Sequence, residues 1–148
     1  AAPNNDIWIG TKEGVAVYDG ASWTKYTQED GLLSDEAEEV EVDADGNLWV
    51  VSDEGVSNYD RNQWKTYPYG KDPFETKVFQ METTPDGKIW FATKSGITAF
   101  DGKNWYHSDS SEGLPDNYIL SIMITSEEDI WIGTFGSGIG FGSIDSIE

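Results

Sequence analysis

An all-β fold of repeated four-stranded antiparallel sheets is what this sequence predicts, on three observations. The first is a repeat without insertions or deletions. Trp8, Trp49, Trp90 and Trp131 lie 41 residues apart. So do Trp23, Trp64 and Trp105, then Tyr18, Tyr59, Phe100 and Phe141, then Gly14, Gly55 and Gly96, and then Asp19, Asp60 and Asp101. A fixed interval of that size marks one structural unit copied along the chain. The second is the density of turn signals, with 16 glycines and pairs such as Asp45-Gly46 and Asp86-Gly87. The third is the scarcity of helical periodicity between those turns.

One repeat reads as four short strands. Strands are predicted around Glu39–Val42, Leu48–Val51, Val56–Tyr59 and Gln63–Tyr67, separated by turns at Asp45-Gly46, Asp53–Gly55 and Asp60–Asn62. The second strand is apolar on both faces, so both faces need cover. The fourth alternates Trp64, Lys65, Thr66 and Tyr67, as a strand nearer to solvent does. Four-stranded units of about 40 residues that cover one another face to face are the blades of a β-propeller. The second-strand Trp is therefore predicted to pack between blades. A single domain over residues 1–148 is expected, with repeats at 6–37, 38–78, 79–119 and 120–148. The first and last repeats are partial, and the strands run three, four, four and three. Propellers usually have about four to eight blades. An arc of about 3.6 repeats exposes strand edges and apolar faces. The expectation is a homodimer that completes a ring, or a piece of a longer propeller.

Charge narrows the partners. Nine Lys and Arg against 28 Asp and Glu give a formal charge of −19. Such a surface repels nucleic acid and anionic membranes. No apolar run approaches the roughly 18 residues of a spanning helix, so no membrane insertion is expected. With no cysteine, disulfides, thiol catalysis and Cys-ligated metals are excluded.

The segment Glu112-Gly113-Leu114-Pro115-Asp116-Asn117, the strand Ile119–Ile124 and the run Asp129-Ile130-Trp131-Ile132-Gly133-Thr134 closely resemble the two-component regulator propeller repeat. Asp6-Ile7-Trp8-Ile9-Gly10-Thr11 fits the same pattern, and Asp45-Gly46-Asn47-Leu48-Trp49 and Asp86-Gly87-Lys88-Ile89-Trp90 fit its turn and second strand. The resemblance implies a non-catalytic sensor propeller in the periplasm or outside the cell. It covers nearly the whole chain, with departures. Gly70-Lys71-Asp72-Pro73-Phe74 stands where other repeats have Gly-Leu, and Trp49-Val50-Val51-Ser52 replaces Trp-Ile-Gly-Thr. The last turn, Phe135-Gly136-Ser137-Gly138, is one residue longer than its counterparts or slipped in register. Streptogramin lyases are propellers with similar turns, which makes a lyase-type enzyme the alternative. That reading needs a catalytic base and a metal, and the one histidine, His107, falls on an outermost strand. A purely structural assembly module is a third reading.

The candidate ligand face comprises the loops between second and third strands and the loops that enter each innermost strand. It places Lys12, Glu13, Asp53, Glu54, Lys94 and Phe135 in the former, and Tyr69, Phe74 and Tyr118 in the latter. These residues vary between repeats while the framework does not, as a site grafted on a scaffold does. Exposed aromatics beside carboxylates suit sugar rings, so the expected ligand is a small molecule such as an oligosaccharide, or else a partner protein. No catalytic residue, metal or cofactor is predicted. Asp43-Ala44-Asp45-Gly46-Asn47 looks like the opening of a calcium loop, but Leu48 stands at the sixth position where glycine is needed, so a β-turn is the preferred reading. The acidic run Asp35–Glu39 is read as solvated charge.

Overall fold

The computed structural model describes residues 5–125 and 129–143. The chain divides into two compact units, Ala1–Phe74 and Glu75–Glu148. The first unit holds β1 (Ile7–Thr11), β2 (Gly14–Tyr18) and β3 (Trp23–Tyr26) in one sheet, and β4 (Ala37–Val42), β5 (Leu48–Ser52), β6 (Gly55–Tyr59) and β7 (Trp64–Pro68) in another. In the second unit, β8 (Val78–Thr83), β9 (Ile89–Thr93), β10 (Gly96–Phe100) and β11 (Trp105–Ser108) form a four-stranded sheet. There β12 (Ile119–Ile124), β13 (Asp129–Thr134) and β14 (Ile139–Ser143) form a three-stranded one. Each sheet is antiparallel with its strands in chain order, which is the blade of a propeller. The predicted count of three, four, four and three strands holds among the described residues.

The repeated aspartates explain the turns. Asp19 Oδ1 accepts from the amides of Ala21 and Ser22, Asp60 Oδ1 from Asn62 and Gln63, and Asp101 Oδ1 from Lys103 and Asn104. A carboxylate that binds the amides two and three residues on closes the link between third and fourth strands. Those amide bonds hold all three carboxyls below the usual range. Asp43 is also a turn-former, as the preferred β-turn reading has it. Its carboxylate accepts from the amides of Asp45 and Asn47, from the Asn47 side chain, and from Trp49 Nε1 at 3.0 Å. One repeat later Thr84 replaces it, and the buried Trp90 Nε1 has no acceptor.

Packing follows the predicted logic within each unit. β5 and β9 are buried along their whole length. In the first unit Val15, Leu32, Leu48 and Val50 form a core, with Trp8, Tyr59 and Trp64 packed against it. In the second, Trp90, Ile97 and Ala99 join Leu114, Ile119, Ile122, Ile130 and Ile132. Trp90 thus packs between two blades, as predicted for a second-strand Trp.

The last blade breaks the aromatic series. By spacing, Phe141 is the counterpart of Phe100, yet the pairing is different. Trp90 faces Ala99 and Ile89 faces Phe100, whereas Trp131 faces Phe141 and Ile130 faces Gly142. The turn between β13 and β14 contains one extra residue, closed by the amide and hydroxyl of Thr134 on the carbonyl of Gly138 at 2.9 Å each. A slip of one residue turns each side chain to the opposite face. Phe141 therefore lies beside Trp131, centroids 4.7 Å apart, and a glycine takes the aromatic's place.

Candidate ligand face

Three of the predicted residues, Lys94, Tyr118 and Phe135, come together in the second unit. Lys94 lies in the turn from β9 to β10, which Thr93 closes through its hydroxyl on the Gly96 carbonyl (2.9 Å). Tyr118 precedes β12, and its carbonyl accepts the amide of Phe135 at 3.0 Å. That bond sets the two rings in a stack, with centroids 5.0 Å apart and planes at 21°. Lys94 Nζ is 5.6 Å from the Tyr118 ring centroid, within cation–π range.

The third ring leaves no mark in the repeat pattern. Phe79 stacks on Tyr118 at 5.3 Å and 23°. It is the extra residue of a β-bulge, because Val78 pairs with Thr93 and Gln80 with Ala92. The same bulge recurs at Glu38 in β4 and Leu120 in β12. Bulges re-aim a side chain and cluster at functional sites. Glu38, Phe79 and Leu120 share one repeat position, and the varied residue types hid it.

Polar groups border the stack. Asp116, also missed, accepts from the Tyr118 amide (3.1 Å) and from the Ser137 hydroxyl (3.1 Å). The Tyr118 amide holds the Asp116 carboxyl below the usual carboxylate range, so it is ionised at neutral pH. Phe135, at the end of the stack, is 71% exposed. An open ring, a carboxylate, a hydroxyl and an ammonium thus share one end of this unit. These groups offer a ligand a stacking face and hydrogen-bond partners.

The other predicted residues lie in the first unit. Lys12 and Glu13 are exposed, and Glu13 pairs with Lys25 at 3.1 Å, a surface ion pair of small energetic weight. Asp53 accepts from the Ser34 hydroxyl at 2.8 Å. The Tyr69 amide donates to the Glu54 carbonyl (3.0 Å), and the Tyr69 hydroxyl to the Ser52 carbonyl (3.2 Å). These bonds fasten the loop entering the next repeat to the turn between β5 and β6. Phe74 corrects the expectation of an exposed aromatic. It is 1% exposed and sits edge-on to Tyr67, with centroids 6.2 Å apart. The Gly-Lys-Asp-Pro-Phe departure turns this ring inward, the Gly70 amide donating to the Phe74 carbonyl. His107, on β11, is exposed, with its Nδ1 3.3 Å from the Thr98 hydroxyl. Among the described residues no group of three or more His, Asp or Glu side chains is gathered to hold a metal ion.

Residues 113–136 match the family model described as Two component regulator propeller. Among solved structures, the chain is similar to the extracellular domain of the hybrid two component system BT3049 from B. thetaiotaomicron. The identity is 28% and the TM-score 0.76, over 100% of this chain and 20% of that one. It is also similar to the extracellular domain of the hybrid two component system BT4673 from the same organism (15%, TM-score 0.53, 95% of this chain and 26% of that one). A third similar structure is virginiamycin B lyase from Staphylococcus aureus (17%, TM-score 0.66, 97% and 54%). The latter two likenesses concern the fold alone. The chain spans about one fifth of the BT3049 domain and about a quarter of the BT4673 domain. No curated protein matches the chain. No helix among the described residues is long and apolar enough to cross a membrane.

Proposed function

From a chain that carries the two component regulator propeller repeat, we infer a non-catalytic sensor module that binds a small ligand outside the cytoplasm. The Phe79–Tyr118–Phe135 stack carries this reading. Aromatic faces bind the apolar faces of sugar rings, and Asp116, Ser137 and Lys94 supply partners for hydroxyls around them. An oligosaccharide is the class that uses all of these groups together. The location outside the cytoplasm rests on the likeness to the extracellular domain of BT3049. Screening neutral and acidic oligosaccharides by calorimetry is expected to give a saturable ligand. Phe135→Ala should weaken it about tenfold or more, since an aromatic anchor is worth about 1–3 kcal/mol, while leaving the far-UV dichroism unchanged. Equal affinity in folded Phe135→Ala would exclude this face. Turnover of the bound ligand would instead favour the lyase reading.

The same module self-associates, on this reading, through its open blade faces. Trp131 of β13 is 42% exposed and Phe141 of β14 61% exposed. In the first unit Ile7 and Ile9 of β1 are exposed too. These sets match by repeat position. Trp131 corresponds to Trp90, and Ile7 and Ile9 to Ile130 and Ile132, against which Trp90 packs. Light scattering across a concentration series should therefore give twice the chain mass. Trp131→Asp should return it to one chain mass. A mass of one chain at every concentration would sink the idea.

A further inference from the structure

Around the Phe135 ring the protein has spent its donors and kept its acceptors. The turn from β13 to β14 uses its own N–H groups internally. The Phe135 amide donates to the Tyr118 carbonyl at 3.0 Å, and the Ser137 amide to Thr134 Oγ1 at 2.9 Å. The Ser137 hydroxyl donates to Asp116 Oδ2 at 3.1 Å, so what it has left is lone pairs. Asp116 Oδ1 accepts the Tyr118 amide, also at 3.1 Å. A Cβ added at Gly136 would lie 3.4 Å from Asp116 Oδ2, which sets that oxygen against the residue next to Phe135. A carboxylate has about four acceptor positions, more than these donors use. The Tyr118 amide, then the Ser137 hydroxyl and the Gly136 amide, hold the Asp116 carboxyl below the usual range, so its charge persists at mildly acidic pH. In the third blade the contact between entry loop and turn joins two hydroxyls, Thr76 and Ser95 at 3.1 Å, and carries no charge.

The aromatic stack already holds one cation. Lys94 Nζ lies 5.6 Å from the centroid of Tyr118, the ring against which Phe135 stacks. A ring face attracts an ammonium within about 6 Å through its quadrupole. Phe135 offers a face of the same kind, with a carboxylate beside it. An anionic ligand would meet Asp116 and the field of a chain at −19, whereas both draw a cation. An ammonium brings three donors and no acceptor, which complements the groups left open here. Its bonds to a carboxylate are roughly twice as strong as those of a neutral hydroxyl.

We propose that the Phe135–Asp116 end of the stack binds a protonated primary amine on an oligosaccharide, so that the ligand is an amino sugar with its nitrogen unacetylated. The proposal rests on the oligosaccharide reading of the same face. The apolar side of the sugar lies on Phe135, and its ammonium donates to Asp116 and to Ser137 Oγ.

The test is calorimetry on the full chain at mildly acidic pH, with a glucosamine trimer and its N-acetylated counterpart of the same linkage. Acetylation removes the charge and keeps the rings and hydroxyls. The glucosamine trimer is expected to bind saturably, and the acetylated one at least about tenfold more weakly, the scale of one hydrogen bond to a charged group. Asp116→Asn should bring the glucosamine trimer down to the affinity of the acetylated one and leave the latter unchanged. Raising the salt on the unmodified chain keeps the test independent of that variant's folding. It should weaken the glucosamine trimer and spare the acetylated one. Equal affinity for the two trimers, a preference that survives in Asp116→Asn, or binding indifferent to salt would overturn the amine and leave the oligosaccharide reading in place. No saturable binding of the glucosamine trimer would overturn it too. If the wider oligosaccharide screen is also empty, both readings fall together.

Discussion

Phe74→Ala is expected to lower stability by about 3–5 kcal/mol, the range for deleting a buried phenylalanine. The ring is shut in against Tyr67, which in turn stacks on Trp49 at 6.2 Å with planes only 15° apart. Removing it takes one member from a run of three aromatics and leaves a void that the surrounding side chains fill only in part. With a urea slope of about 1–3 kcal/mol per molar, the midpoint should fall by roughly 1–5 M. Against a usual total of about 5–15 kcal/mol, that is enough to unfold a marginal domain. A surface residue in a ligand loop would change stability by only about 0.5 kcal/mol. A midpoint that small a step from the parent's would return Phe74 to the ligand face. The contrast with Phe135→Ala separates the two aromatics, one expected to cost stability and the other affinity.

Gly96→Ala carries the other large effect, expected at about 3 kcal/mol or more. Gly96 opens β10 with φ +127°, and a Cβ there would overlap the carbonyl oxygen of Ser108 on β11. That oxygen belongs to the backbone of a paired strand, so it has little room to give. The positive φ alone costs a non-glycine residue about 1–2 kcal/mol. Gly102→Ala isolates that part, because Gly102 has φ +90° but nothing within 4 Å of a new Cβ. Urea denaturation of the two variants should place Gly96→Ala clearly below Gly102→Ala. Equal losses would mean that the strand ends shift to admit a methyl group and that the repeated glycine marks backbone conformation only. Gly14 and Gly55 make the same close approach, to the carbonyls of Tyr26 and Tyr67, so the reasoning extends to three of the four blades.

The candidate site was legible only in part. Lys94, Tyr118 and Phe135 are readable as loop residues because their positions vary within a repeat whose framework does not. Phe79 is not, because a β-bulge has no compositional mark and its repeat position holds Glu, Phe and Leu in turn. Asp116 reads as part of the family pattern, and only the Tyr118 amide and the Ser137 hydroxyl on its carboxylate place it at the stack.

By itself the sequence determined the strands, their turns and the residues that pack between blades. Those features rest on local physics: a two-residue side-chain period, carboxylates that close their own turns, and glycines that adopt positive φ most readily. Tertiary structure decided which loops meet, which aromatic turns inward and which face Phe141 occupies. These depend on the register between strands and on the length of a single turn. One extra residue between Thr134 and Ile139 reverses the side chains of β14, and a change that small leaves the 41-residue spacing of the aromatics intact.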